Sequence, residues 1–324
     1  VHTISDYQAF FTTHLSKSFL PKAPINLYDP IQYIVQLGGK RLRPVLTLMA
    51  ADIFGSTYDK ALDAALAVEV FHNFSLVHDD IMDHAPLRRG QQTVHEKWDV
   101  NTGILSGDAM LIQAYQLFEN YEGAIFKELV ALFSTTAIQV CEGQQYDMDF
   151  EVRDDVTLPE YLQMIESKTA VLVGAALQMG AIIAGASPKS KTAIYDFGRV
   201  LGIAFQLQDD YLDAFGDPAT FGKQVGGDIM ANKKTYLYLK ALESATTDQK
   251  QYLTDLFLTQ PDDPADKITA VKQLFESTGT AERTQKAIQA YTQQAFEVLR
   301  DLEVAPEKQA LLHTFGQQLM NRTV

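Results

Sequence analysis

The pattern Asp-Asp-x-x-Asp occurs twice, as HDDIMD at 78–83 and QDDYLD at 208–213, each time inside apolar residues spaced for a helix. Residues four apart share one helical face, a turn above one another, so Asp79 and Asp83 present paired carboxylates, and so do Asp209 and Asp213. Asp80 and Asp210 point about a quarter-turn away, within reach of water on a metal ion. Like charges crowded on one face weaken a helix unless a cation offsets them, and unpaired carboxylates are costly in apolar surroundings. A single copy of the pattern reads as a solvated, salt-bridged helix face. Two copies in apolar runs reverse that reading. Oxygen donors suit Mg²⁺ or Mn²⁺, and Mg²⁺ takes one or two carboxylates while phosphates and water complete its shell. Two such faces across a cavity are expected to hold a diphosphate between metal ions. A calcium loop is excluded, because the alternating acids and central Gly of an EF-hand are missing.

Apolar residues recur at helical spacing along almost the whole chain of 324 residues, and polar–apolar alternation is scarce. Pro44, then VLTLMAADIF, then Gly55 predicts a helix with Pro in its first turn and Gly at its end. A second helix is expected from Ser56 or Thr57 through the first aspartate cluster, stopping before Pro86. Others are expected over 107–119, 126–147, 158–184, 190–214, 234–243, 248–258, 264–277, 280–302 and 306–319. No Pro/Gly/Ser-rich linker divides the chain, so residues 1–324 read as one all-α domain. The apolar run from Ala170 to Ala186 is shorter than the ~20 residues of a membrane span and holds Gly174, Gly180 and Gly185. A buried core helix is expected there, and no membrane span.

The formal net charge is −14, which argues against nonspecific nucleic-acid binding. An acidic chain binds an anion where a divalent cation or a local basic cluster reverses the field. Gly38 to Pro44 (GGKRLRP) supplies three basic residues just ahead of a helix, where backbone N–H groups add to the positive field. Arg88 and Arg89 follow the first aspartate cluster closely, and guanidinium forks suit phosphate. Lys168 stands beside Thr169, and Lys223 and Lys233 lie just past the second cluster. His72 precedes Asp79 by about two helical turns and projects on a nearby face, whereas His78 reads as a satisfied core histidine. Gly143 to Asp147 (GQQYD) reads either as neutral hydrogen bonds to a polar head or as a packing or C-cap element. Cys141 is alone, so no intramolecular disulfide forms and a reducing, cytoplasmic setting is expected. Residues 1–19 carry His, Asp and Lys among their apolar residues and do not read as a signal peptide.

In order, GGKRLRP, LVHDDIMD, LRRG, GQQYD, SKT, FQLQDDYLD, GK and GGDIMANKKT span residues 38–235, and this ordered set resembles the trans-type polyprenyl diphosphate synthases. The resemblance implies an all-α, single-domain helical bundle around a deep central cavity, assembled as a homodimer. It implies Mg²⁺, replaceable by Mn²⁺, on Asp79, Asp83 and Asp209, with Asp80 and Asp213 supporting. Lys40, Arg43, His72 and Arg89 match positions that hold isopentenyl diphosphate. Arg88, Lys168, Thr169, Gln206, Lys223 and Lys233 match those that hold the allylic diphosphate. Lys168, Thr169, Gln206 and Lys223 form the implied catalytic group, with the Thr169 and Gln206 oxygens facing the allylic cation. The implied reaction ionises the allylic C–O bond as cations neutralise the leaving diphosphate. The double bond of isopentenyl diphosphate then attacks before water does.

Bulky residues upstream of the first cluster floor the tail pocket in such enzymes. Phe71, Phe74 and the small Ser75 stand at those positions, which resembles synthases of C15 or C20 products, with a lean to C20. On an ideal helix Phe74 falls well off the Asp79 face while Ser75 sits near it, so Phe74 is assigned by resemblance. A class I terpene cyclase would carry an Asn/Ser/Glu-type second motif where this chain has aspartates. A non-catalytic subunit of a heteromeric synthase would lack one or both aspartate motifs. A metal-dependent phosphohydrolase would need more clustered histidines than the chain supplies.

Overall fold

The computed structural model describes residues 2–217, 225–261 and 263–321. Its helices are α1 (Ile4–Ser18), α2 (Ile25–Gln36), α3 (Leu42–Ile53), α4 (Leu62–Met82), α5 (Val94–Lys97), α6 (Val100–Phe118), α7 (Gly123–Val152) and α8 (Leu158–Ile165). There follow α9 (Val171–Ile183), α10 (Pro188–Phe215), α11 (Gly227–Met230), α12 (Tyr236–Ser244), α13 (Thr247–Phe257), α14 (Ala265–Ser277), α15 (Thr280–Arg300) and α16 (Pro306–Met320). Among the described residues the strands are β1 (Leu87–Arg88) and β2 (Gln91–Gln92), a short antiparallel hairpin just after α4. The chain is all-α, as its periodicity predicts.

The chain divides into two compact units. The first comprises Val1–Thr136, Leu172–Tyr195 and Glu303–Lys308. Its centre is α4, where Ala64, Ala65, Ala67, Val68, Val70 and Phe71 are fully buried. The small side chains let neighbouring helices approach closely, and α4 packs most extensively against α6 and then α3. Burying each larger apolar side chain contributes roughly 1.5–3 kcal/mol. The segment 172–182 is buried core, with Ala175, Leu177 and Met179 fully enclosed, as expected of that apolar run. The α1 helix, not anticipated from the sequence, starts on a capping box between Thr3 and Asp6 and buries Tyr7 and Phe11.

The second unit comprises Ala137–Val171, Asp196–Leu302 and Gln309–Val324. Tyr161, Ile165, Leu207, Leu237, Val271 and Phe275 lie in its core. A capping box between Thr157 and Glu160 starts α8, with Pro159 in the first turn. The single helix expected over 158–184 runs without a break but is not regular: Glu166–Ala170 form a π-helical segment between α8 and α9. Such one-turn bulges insert an extra residue, rotate the helix beyond them, and are frequent at functional sites. One described helix, α7, is long and apolar enough to cross a membrane by length and composition.

Candidate active site

In the first unit, α4 delivers Asp79 half-buried, and Asp83 directly after its last turn. The Asp83 N–H still donates to the Asp79 carbonyl at 2.9 Å, so the helical spacing of the two carboxylates survives. Asp80 is turned inward, 1% exposed, and both its oxygens accept from Arg88, from Nε at 2.8 and 2.9 Å and from Nη2 at 2.7 Å. Arg88 Nη2 also lies 3.6 Å from Asp79. The hairpin thus folds Arg88 back onto the helix that precedes it.

Basic residues gather beside this motif. Arg43 Nη1 lies 3.3 Å from His72 Nε2, and Arg43 Nε is buried with no protein partner. Burial, then the charges of Arg43, Arg89, Arg88 and Arg41, hold His72 far below the usual imidazole range. His72 is therefore neutral and offers one donor and one acceptor. Burial also lowers Arg43 and Arg89, and Arg41 adds repulsion at Arg89. A cluster of cations in mutual repulsion favours an anionic ligand. Arg89 reaches the Gly38 carbonyl and lies against Gly39, where an added Cβ would stand 2.9 Å from the guanidinium. Gly39 also has a φ of +123°, a conformation that side chains resist. Arg41, the other arginine of that loop, is structural: it pairs with buried Glu69 and donates to the Val35 carbonyl.

Phe71 and Phe74 meet as tilted rings with centroids 5.5 Å apart, and Phe71 continues edge-on to Phe133. Ser75 donates to the His72 carbonyl at 2.8 Å. His78 sits 3.1 Å from the Ile104 carbonyl and edge-on to Phe74, so it is satisfied as expected, but partly exposed and not in the core.

In the second unit, α10 carries Asp209 and Asp213 half-buried and Asp210 buried. The Tyr161 hydroxyl and Gln206 Nε2, the latter at 3.0 Å, donate to Asp210. Burial and the neighbouring charge of Asp228 push the Asp210 carboxyl up to about 8 despite those bonds. Asp213 accepts the Asp228 N–H at 2.9 Å. Thr169 Oγ1 donates to Gln206 Oε1 at 3.3 Å, and Lys168 Nζ pairs with Asp147 at 2.6 Å. The π segment carries both Lys168 and Thr169. A Cβ at Gly143 of α7 would stand 2.2 Å from the Lys168 backbone nitrogen, so only glycine permits this close seat. That decides the role of Gly143 as packing, and α7 continues through it to Val152 instead of capping there.

One pocket of this unit is lined by Lys168, Thr169, Gln206, Asp210, Asp228 and Lys233, together with Asp147, Tyr161 and Lys234. Lys223 lies outside the described residues. The Lys40 carbonyl ties its loop to α1, accepting from Gln8 at 2.9 Å. Sequence reasoning passed over Tyr161 and the separate parts of Asp228 and Lys234. The latter two fall in GGDIMANKKT, directly after the second cluster, and its shape was their signal.

The family model described as polyprenyl synthetase matches residues 24–274. The chain belongs to the polyprenyl synthetase family. This synthetase is 39% identical to a geranylgeranyl diphosphate synthase of Methanosarcina mazei, covering 89% of this chain and 88% of that one. It is 33% identical to a geranylfarnesyl diphosphate synthase of Natronomonas pharaonis over 99% and 97% of the two chains. A crystal structure of a geranylgeranyl pyrophosphate synthase superposes with a TM-score of 0.96 at 55% identity, covering both chains fully. The synthetase is an enzyme of prenyl-chain elongation, and neither the cyclase nor the non-catalytic reading is favoured.

Its carboxylates fit a hard divalent ion: the donors are all oxygen, Asp83 is exposed and Asp79, Asp209 and Asp213 are partly exposed, while the middle aspartates are buried on protein donors. Among the described residues no group of three His, Cys, Asp or Glu converges to hold an ion alone. Mg²⁺ sites commonly complete their shell with substrate phosphates and water.

Proposed function

We propose that this synthase joins isopentenyl diphosphate to an allylic diphosphate, head to tail, and that geranylgeranyl diphosphate (C20) is its main product. The observation that carries the reading is the pocket in the second unit. Lys168, Thr169, Gln206 and Lys233 come from separate stretches of sequence to line one cavity. Cations there suit a diphosphate, and the Thr169 and Gln206 oxygens suit an adjacent carbocation. Arg88 joins this allylic group on the reading proposed, as does Lys223. Lys40, Arg43, neutral His72 and Arg89 hold isopentenyl diphosphate. Asp79, Asp83, Asp209 and Asp213 would hold Mg²⁺, which when bound neutralises charge on the departing diphosphate. Asp80 and Asp210 support them from within the protein.

Phe71 and Phe74 limit the tail, in keeping with the names of the relatives and with the buried aromatic contacts of both rings. The exposed apolar side chains of α6, Ile104, Leu105 and Ile112, support a homodimer; a cytoplasmic location and the lack of a membrane span are proposed with it from the sequence alone. The test is incubation with Mg²⁺, labelled isopentenyl diphosphate and each allylic starter, followed by chromatography of the dephosphorylated alcohols. A dominant C20 alcohol is expected; cyclic hydrocarbon, or no incorporation of label, would overturn the reading. Phe74→Ala should add C25 or longer alcohols, and an unchanged spectrum removes Phe74 from the floor.

A further inference from the structure

The segment 225–235 (VGGDIMANKKT) lines one part of the pocket that holds Lys168 and Gln206, and carries two adjacent lysines just before its last residue. Three attachments fix it. At its start, the Gly226 N–H donates to the Asp213 carbonyl at 2.6 Å and the Asp228 N–H donates to the Asp213 carboxylate at 2.9 Å. Mid-segment, the nearly buried Lys267 donates to Asn232 and, at 2.8 Å, to the Thr259 carbonyl. Asn232 has a φ of +56°, a left-handed turn that this clasp secures.

The third attachment is Lys234. Its ammonium donates to the carbonyls of Phe150 at 3.0 Å, Glu151 at 3.4 Å and Arg153, and lies 3.5 Å from Asp154. The side chain is only 9% exposed. The last carbonyls of a helix lack partners within it and carry partial negative charge. An ammonium has three N–H groups, and here three carbonyls around the end of α7 receive them. A lysine so committed cannot bind substrate, although it lines the pocket. Its neighbour Lys233 is held by backbone on both sides: the Lys233 N–H donates to the Asp228 carbonyl, and the Lys233 carbonyl accepts from Thr235, each at 2.9 Å.

We propose that Lys234 is a positioning residue for the allylic-diphosphate site: by capping the C-terminal end of α7 it fixes the backbone from which Lys233 meets the diphosphate. The inference rests on the reading of Lys233 given above. It is tested with the full-length enzyme by measuring KM for farnesyl diphosphate and for isopentenyl diphosphate in wild type, K233M, K234M, K234R and K233M/K234M. K234M should raise the KM for farnesyl diphosphate roughly tenfold, about the loss of one charge-assisted contact. Its KM for isopentenyl diphosphate should stay within about twofold, K234R should recover most of the loss, and the double variant should be no worse than K233M alone. Should K234M not fold, Lys234→Gln, which keeps two N–H donors, takes its place in the same comparison. An equal rise in both KM values, or losses that multiply in the double variant, would overturn the proposal. A normal K234M beside a defective K233M overturns this proposal alone. A normal K233M overturns the reading of Lys233, and the proposal with it.

Discussion

Asp80 and Asp210 hold the same place in the same five-residue pattern, yet one is gripped by a guanidinium and the other by a phenol and an amide. Arg88, eight residues on, binds both oxygens of Asp80. Tyr161, 49 positions away in sequence, and Gln206 bind Asp210. Burial raises both carboxyls above their ordinary range. At Asp80 the Arg88 fork opposes that rise. At Asp210 the neighbouring Asp228 adds to it, and the carboxyl reaches about 8. In each unit the repeat leaves its outer aspartates partly or fully exposed and buries the middle one, which takes whatever partner its own unit supplies.

That contrast can be broken experimentally. Asp80→Asn leaves the largely buried Arg88 without its counter-charge, and should destabilise the metal-free protein by about 3 kcal/mol. A shifted denaturant midpoint at pH 7 measures it. A stability equal to wild type would mean that the pair contributes nothing.

The second region should answer to pH instead. The folded Asp210 carboxyl titrates near 8, above the ~3.9 of an unfolded aspartate, so the folded chain holds an extra proton between those values. This contribution is complete below about pH 4 and is lost as pH rises through about 8. Thermal midpoints of the metal-free protein should therefore fall more steeply between pH 5 and 9 (about the span of that titration) in wild type than in Asp210→Asn. Parallel curves would show that Asp210 is ionised throughout.

At pH 6 Asp210→Asn should cost about 1 kcal/mol or less, because the amide resembles the protonated acid and loses at most part of one hydrogen bond. A loss as large as that of Asp80→Asn would erase the distinction between the two motifs.

Much of the fold was legible because helical periodicity survives almost everywhere. The boundaries of α10, α12, α13, α14 and α16 fall within a few residues of those read from apolar spacing. The π segment was not legible, since an inserted residue leaves composition and local spacing nearly unchanged. The paired aspartates and the basic residues around them were visible as types at helical intervals. The pairing of Arg88 with Asp80 was not read from the sequence, where the resemblance assigns Arg88 to the diphosphate, although the two stand only eight residues apart. Tyr161 does not, because the contact to Asp210 is created by tertiary packing alone. Lys234 was hidden in plain view beside Lys233: two identical residues differ in task because one of them meets the end of α7.

The proposed reaction needs divalent ions on the outer aspartates of both motifs. The direct test is the Mg²⁺-dependent condensation rate of Asp79→Ala and of Asp209→Ala, each checked for an unchanged thermal midpoint. The account predicts that either substitution alone lowers the rate about 10³-fold or more. Near-normal turnover by a folded variant of either would contradict it.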